Sequence, residues 1–170
     1  MTENTNPLNK YFRQPSIYVT LPSGSSYPPT VLQQTQSGEI GIQPMTAKDE
    51  IRFKTPDALM NGQGVVDVIE SCVPQIKDAW QIKSYDLDTL LIAIRIATYG
   101  ETMDFTFTVP GANEQVTHSQ NLPAILDQIK STTIQSDITL EDGLKISVRP
   151  LTYKDMTTAS QQTFQQQKMY

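Results

Sequence analysis

Hydrophobic and polar residues alternate along the chain with two periods, which separate strands from helices. The stretches "SIYVTLP" at 16–22, "EIGIQP" at 39–44 and "TMDFTFTVP" at 102–110 have the two-residue period or the β-branched and aromatic content of strands. The stretch "LDTLLIAIRIATY" at 87–99 is apolar almost all round, which is typical of a helix buried on most sides. We therefore predict an α+β protein in which a small antiparallel sheet, or separate hairpins, packs around the helix at 87–99.

Capping residues predict where the first helices begin and end. Thr46 followed three residues later by Asp49 has the pattern of a capping box. A second start lies at 55–57, where a threonine cap precedes a proline at the first helical position. The "NGQG" stretch at 61–64 should interrupt that helix, and "VVDVIESCV" at 65–73 should resume as another.

The second half of the chain divides in the same way. Ser84 or Asp86 is expected to cap the helix at 87–99, and Gly100 is a natural helix end. Met103, Phe105 and Phe107 should form the half-buried face of the strand that follows. The remaining predicted elements are a return strand at 115–119, an amphipathic helix at 121–130, a hairpin at 137–150 that turns at Glu141, Asp142 and Gly143, and a polar helix at 152–170.

Two stretches of the chain resemble each other. "IGIQPMTAKDEI" at 40–51 and "ISVRPLTYKDMT" at 146–157 share isoleucine, proline, threonine, lysine and aspartate at equivalent positions. One interpretation is a common passage from strand to helix, in which proline ends the strand and threonine caps the helix. The other is that 16–50 and 137–155 are two copies of one hairpin-to-helix corner. In either case the lysine and aspartate of each copy are expected to be solvated caps, where aspartate favours the helix dipole.

Composition and charge narrow the function classes. The chain has 170 residues and a net charge of −5, without a run of lysines and arginines, so a field that attracts nucleic acid is not expected. The most apolar run is too short for a bilayer and contains Arg95, and the N-terminus lacks the pattern of a secretory signal. Only 18% of residues are charged, and many are uncharged and polar, which favours an assembly component.

Candidate chemistry is sparse. Cys72 is the single cysteine and His118 the single histidine, so neither a disulfide within the chain nor a zinc site of ordinary composition is expected. His118 lacks an accompanying nucleophile motif, and we interpret it as a surface residue. The "NGQG" stretch lacks the other features of a phosphate-binding loop. Asp86 and Asp142 are explained by a helix start and a turn. We predict no catalytic residues, no cofactor and no metal.

Partner contacts are predicted at four places along the chain. Aromatic residues and an arginine follow a polar segment at 1–10 that we expect to be a flexible arm. Trp80 is either a core residue or an interface anchor, since tryptophan is common in both roles. The candidate contact residues are Tyr11, Phe12, Arg13, Asn61, Gly62, Gln63, Gly64, Trp80 and Phe164.

Several stretches, in order and in spacing, resemble one protein family. "YFRQPSIYVTLPS", "QPMTAKDEI", "KTPDALMNGQGVVDVIESCVPQI", "LDTLLIAIRIATYGE" and "GLKISVRPLTYKD" are similar to the baseplate hub assembly protein family of T-even-type contractile-tailed bacteriophages. The resemblance implies a phage protein made in the host cytoplasm that helps to build the hub of the tail baseplate. It implies other tail and baseplate proteins as partners, and it implies no enzymatic activity.

The chain departs from that family in one segment. Relatives often have paired cysteines after the helix that ends in "IRIATYGE", which suggests a zinc-ribbon-like insert. The corresponding "TFTVPGANEQVTHSQN" has none. We therefore predict no zinc, and stabilisation of the insert by its Phe105 and Phe107 face instead.

We predict three regions: the arm at 1–10, an α+β domain at 11–155 with an insert at about 102–135, and a polar helix at 156–170. The leading hypothesis is a non-enzymatic structural protein of the virion baseplate that contacts other tail proteins. An assembly chaperone absent from the virion is the first alternative. A small-molecule or peptide-binding domain, or an enzyme that uses His118 or the "NGQG" turn, is the second.

Overall fold

The computed structural model describes residues 12–108, 111, 115–130 and 136–167. Tyr11 and the predicted arm at 1–10 lie outside the described residues. Within them, three antiparallel two-stranded sheets are combined with helices, which confirms the α+β class. The strands are β1 (Ile17–Thr20), β2 (Glu39–Ile42), β3 (Thr102–Thr108), β4 (Gln115–Asn121), β5 (Asp137–Thr139) and β6 (Lys145–Ser147). The helices are α1 (Ala47–Phe53), α2 (Pro56–Met60), α3 (Gln63–Cys72), α4 (Ser84–Tyr99), α5 (Leu122–Lys130) and α6 (Tyr153–Gln167).

Helix α4 lies at the centre of the core, as its apolar sequence predicts. It contacts β1, β2, α3, α5 and α6, and Leu90 and Ala93 are completely buried. The prediction of its start is wrong. The helix begins at Ser84 with Lys83 in the cap position, and no side chain caps it. Asp86 is drawn instead into tertiary hydrogen bonds, described below. Gly100 ends the helix at a φ of 94°, a backbone conformation that favours glycine.

The first hairpin-to-helix corner is part of the core. Strands β1 and β2 pair with Val19 opposite Ile40, and the face that they share is packed under α4. Thr46 accepts a hydrogen bond from the Asp49 backbone N–H, and the Asp49 side chain accepts one from the Thr46 backbone N–H. The predicted capping box is therefore confirmed. Fixing the start of α1 in this way satisfies two backbone donors that the helix leaves free.

The insert is a hairpin followed by a helix, as predicted. Strands β3 and β4 pair in register, with Phe105 opposite His118, and α5 packs on α4 through the buried Leu122 and Leu126. The predicted burial of the strand face is wrong, because Phe105 and Phe107 are both exposed. Met103, on the same strand face, is half-buried against the core, so the expected cover is missing only where Phe105 and Phe107 lie. The alternation along β3 therefore identifies a shared face but not its burial.

The second corner has the predicted elements but little burial. Strands β5 and β6 pair around the turn at Gly143, and Thr152 precedes α6, with Thr152 and Asp155 exchanging the hydrogen bonds of a capping box. Helix α6 has no buried residue, and it runs continuously across the boundary predicted at 155–156. The condition for two similar corners is met, since both threonines stand immediately before a helix.

Candidate interaction surfaces

Arg13, which precedes β1, contacts residues that follow β2 and residues of α1 and α3. Its guanidinium lies 3.2 Å from a carboxylate oxygen of Asp49 and donates to the Gln43 side chain at 2.9 Å and to the Ser71 backbone carbonyl. Asp49 is buried, so its prediction as a solvated cap is wrong. The sequence did not indicate this ion pair, because Arg13 and Asp49 are 36 positions apart.

The protonation of Asp49 reflects these contacts. Burial alone would raise the pKa of the Asp49 carboxyl, but hydrogen bonds from Thr46, Ser71 and Arg13 outweigh it and hold the pKa below its ordinary value. The Asp49 carboxylate is thus charged near neutral pH and holds the Arg13 segment against α1 and α3. Arg13, a candidate partner contact, therefore has intramolecular partners in this structure, whereas its neighbour Phe12 is exposed.

A buried carboxylate fixes the long connection between β1 and β2. Asp86 accepts from the Ser23 backbone N–H at 3.0 Å, from the Ser23 hydroxyl, and from the Tyr27 hydroxyl at 2.5 Å. The Tyr27 oxygen in turn accepts from the Lys83 backbone N–H at 2.8 Å. Burial and the neighbouring Asp86 carboxylate raise the pKa of Tyr27. The local role predicted for Asp86, a helix cap, is therefore wrong: its partners lie about sixty residues away along the chain.

The "NGQG" turn and Trp80 form a docking surface for α6. Gly62 adopts a φ of 80°, and a Cβ there would lie 3.0 Å from Thr157 and 3.1 Å from Trp80. Trp80, half-buried in a single 3₁₀ turn, stacks on Tyr153 with ring centroids 5.5 Å apart. The Tyr153 hydroxyl donates to the Gly62 carbonyl at 3.3 Å. The turn therefore breaks a helix, as predicted, and also receives another helix.

Part of this surface stays open. A cleft of about 290 Å³ lies between the turn and α6, and Asn61, Trp80, Lys154 and Gln161 contribute to its wall. Gly62 and Gly64 are buried, while Asn61 and Gln63 are exposed. Of the candidate contacts in this region, the two amide side chains are exposed and Trp80 is partly exposed in the cleft wall. Phe164, farther along α6, is also largely exposed.

The two residues weighed for chemistry lie apart. His118 is on the exposed strand β4 and stacks on Phe105, with ring centroids 5.8 Å apart. Cys72 is completely buried, and desolvation raises the pKa of its thiol to about 11, which makes it a small hydrophobic side chain. Among the described residues, no three histidine, cysteine or acidic side chains are grouped as metal ligands. No described helix has the length and apolar character needed to cross a membrane.

One exposed apolar surface that the sequence analysis did not select is a face of the second hairpin. Residues directly opposite each other in an antiparallel pair lie on the same side, and alternate residues along a strand share that side. Ile138 is opposite Ile146, and Leu140 is hydrogen-bonded to Leu144 across the turn. The alternation in "DITLEDGLKISV" was the available signal. The apolar face of the second hairpin comprises Ile138, Leu140, Leu144, Ile146 and Val148, all exposed.

The sequence was compared with known families, curated proteins and solved structures. A family described as "T4 bacteriophage base plate protein" matches residues 15–169. The chain belongs to this family. No curated protein and no solved structure matched the chain. The match covers both corners, the central helix and the insert, so the base plate protein family accounts for almost the whole chain. The family assignment drawn from the sequence motifs is confirmed, and it makes this a phage base plate protein with a structural or assembly role.

Proposed function

We propose that this base plate protein is a non-enzymatic component of the baseplate hub that acts by binding other tail proteins. The observation that carries the proposal is the distribution of apolar surface. Side chains such as Phe12, Phe107, Leu144 and Phe164 are exposed on separate elements of one small chain. Contiguous exposed apolar surface marks protein contact sites, and the apolar face of the second hairpin, which includes Leu144, is such a surface. A protein of this size that joins several neighbours would need such surfaces on several sides.

The polar residues support the same proposal. Asn61 and Gln63 are exposed beside the cleft at α6, and uncharged amides can be buried against a partner at a smaller desolvation cost than charges. We propose Phe12, Asn61, Gln63 and Phe164 as partner contacts, together with Trp80, which lines the cleft beside Asn61. Nucleic acid, a membrane and zinc have no part in the proposed function, and its sites are the virion tail and, during assembly, the host cytoplasm.

Affinity capture from infected cells tests the proposal. A tagged chain is expected to recover other baseplate proteins, and a Phe12→Ser and Phe164→Ser double variant is expected to recover less of at least one of them. A matched control replaces Thr108, an exposed polar residue at the end of β3, with serine. Recovery of no baseplate protein by the unaltered chain would contradict the proposal.

Mass spectrometry of purified virions separates a lasting component from a transient assembly factor. We expect peptides of the chain in the particle at a ratio comparable to that of other hub proteins. Absence from the particle, together with recovery of baseplate proteins from infected cells, would replace the component with an assembly chaperone.

A further inference from the structure

The apolar face of the second hairpin repeats a face that the first corner buries. The two hairpins superpose in register, because Val19 lies opposite Ile40 and Ile138 lies opposite Ile146. In the first corner the aliphatic face is between 0 and 7% exposed, and in the second the equivalent side chains are between 37 and 44% exposed. The equivalent pairs are Val19 and Ile138, Leu21 and Leu140, Ile40 and Ile146, and Ile42 and Val148.

The first corner also shows what this face accepts. Helix α4 contacts both β1 and β2, so a single helix lies across the aliphatic side chains of the pair. The second hairpin has no corresponding helix among the described residues, since every residue of β5 and β6 is exposed. A two-stranded hairpin with one uncovered apolar face is only marginally stable in water, so a cover would also stabilise its conformation.

Charge around the face is uneven. Arg149, at the base of the hairpin, is paired with Asp155 at 3.0 Å. At the turn, Glu141 and Asp142 form no ion pair with a described residue. Lys145, next to the turn on the polar face, also forms no ion pair with a described residue, so the tip carries two acidic groups and one basic group. A partner that lies along the apolar face therefore meets a neutralised base and a tip of net negative charge. Complementarity requires a lysine or arginine, or a positive helix N-terminus, over the turn.

We propose that the apolar face of the second hairpin is the docking site for one amphipathic α-helix of another tail protein. The helix presents aliphatic side chains to Ile138 and Ile146 and places a basic group over Glu141 and Asp142. It stands where α4 stands in the first corner. This inference deepens the proposed function, on which it rests for the source of the helix.

Site-specific photo-cross-linking in infected cells tests the inference. Benzoylphenylalanine is placed at Ile146 on the apolar face, at Thr139 on the polar face of the same hairpin, and at Phe12 far from it along the chain. We expect the position at 146 to cross-link to a helical segment of another phage tail protein at a yield at least tenfold above that at 139. Peptide mapping identifies the segment.

The outcomes separate this inference from the proposed function. In one outcome, position 12 cross-links to tail proteins but position 146 gives no higher yield than position 139. That result would overturn the docking site and leave the proposed function standing. Cross-links from 146 to a second copy of the chain, or to an extended segment, would overturn the helix as the occupant. The absence of tail proteins from every position would overturn both proposals.

A charge reversal tests the orientation. Glu141→Lys with Asp142→Lys is expected to lower the cross-link yield at 146 severalfold, because the acidic tip then repels the basic group of the helix. Circular dichroism of the purified variant checks that the fold is kept. An unchanged yield would overturn the placement of the basic group over the turn.

Discussion

The two corners of this base plate protein have nearly the same local structure and opposite surroundings. Each has an antiparallel hairpin, a proline after its second strand, a threonine before a helix and an aspartate three residues later. Each aspartate also lies near an arginine, Arg13 for Asp49 and Arg149 for Asp155. One face of the first hairpin is buried under α4, whereas every residue of β5 and β6 is exposed.

The difference separates two kinds of information in a sequence. Caps, turns and strand alternation act over a few residues, so both corners form the same way. Burial depends on what the rest of the chain places against a face. The two hairpins have nearly the same sequence pattern, so that pattern does not show which of them is covered. The same alternating pattern can therefore describe a face inside the core or a face that awaits another protein.

The largest expected effect comes from truncating equivalent residues of the two hairpins. Ile42→Ala should lower the free energy of unfolding by about 2–4 kcal/mol, because Ile42 is completely buried and its removal leaves a cavity. Val148→Ala, at the equivalent position, should cost less than about 1 kcal/mol, because the Val148 side chain is 44% exposed. Urea titration followed by circular dichroism measures both. Equal losses would mean that the second face is covered within the chain itself.

The connections of the two hairpins offer the next contrast. Asp86→Ala should cost about 2–3 kcal/mol, because the Ser23 and Tyr27 donors would be left in a buried place without their acceptor. In the second hairpin, Asp142 accepts from the Leu144 backbone N–H at 3.0 Å in an exposed turn, so Asp142→Ala should change stability much less. Thermal unfolding of the two variants is the measurement. A harmless Asp86→Ala would show that the long connection is held by its apolar contacts alone.

A glycine pair tests how closely α6 packs on the "NGQG" turn. Gly62 and Gly143 have φ values of 80° and 83°, so alanine introduces similar backbone strain at both, about 1–2 kcal/mol. A Cβ at Gly62 would also press on Thr157 and Trp80, while at Gly143 no heavy atom lies within 4 Å. Gly62→Ala should therefore be the more destabilising and should alter Trp80 fluorescence. A smaller effect than that of Gly143→Ala would argue against close packing of α6 on the turn.

The smallest expected effect is on the loss of folding stability at low pH. Hydrogen bonds hold the pKa of Asp49 below its ordinary value despite burial, and hydrogen bonds from Thr152 and Arg149 lower the pKa of Asp155. A lowered folded-state pKa contributes stability above the unfolded value, near 4, and this contribution is lost as pH falls through the folded value. Asp49→Asn should reduce the loss of stability between about pH 5 and pH 2.

Asp155→Asn is the matched control for this pH effect. Its carboxyl is in contact with solvent, which screens the Arg149 charge, so its contribution should be smaller. Urea midpoints at several pH values compare the two variants with the unaltered chain. A larger effect at Asp155 would contradict the assignment of Asp49 as the charge that stabilises the core.

The sequence predicts most of the elements because their signals are local. The capping box at Thr46, the end of α4 at Gly100 and the turn at Gly143 each need only a few neighbours. The apolar character of 87–99 also predicts the central helix, because a helix without a polar face must be surrounded.

The contacts between distant segments could not be predicted. Nothing in the residues near Asp86 indicates that Tyr27 will donate to it, and nothing near Trp80 indicates that Tyr153 will stack on it. The exposure of Phe105 was missed for the same reason: alternation states which residues share a face but not whether the face is covered. The residues predicted to contact partners accordingly include both exposed and buried positions: Phe12 is exposed, whereas Gly62 is packed against α6.

The pairing of each strand with its immediate neighbour in the chain has a consequence for synthesis. Among the described strands, no sheet has to wait for a distant strand, so each hairpin can close as soon as it has left the ribosome, with a small loss of loop entropy. The surface formed by Gly62 and Trp80 is complete before residue 153 is made. Helix α6 therefore joins a core whose other elements are already made, and the corner that we expect to meet a partner takes shape after that core.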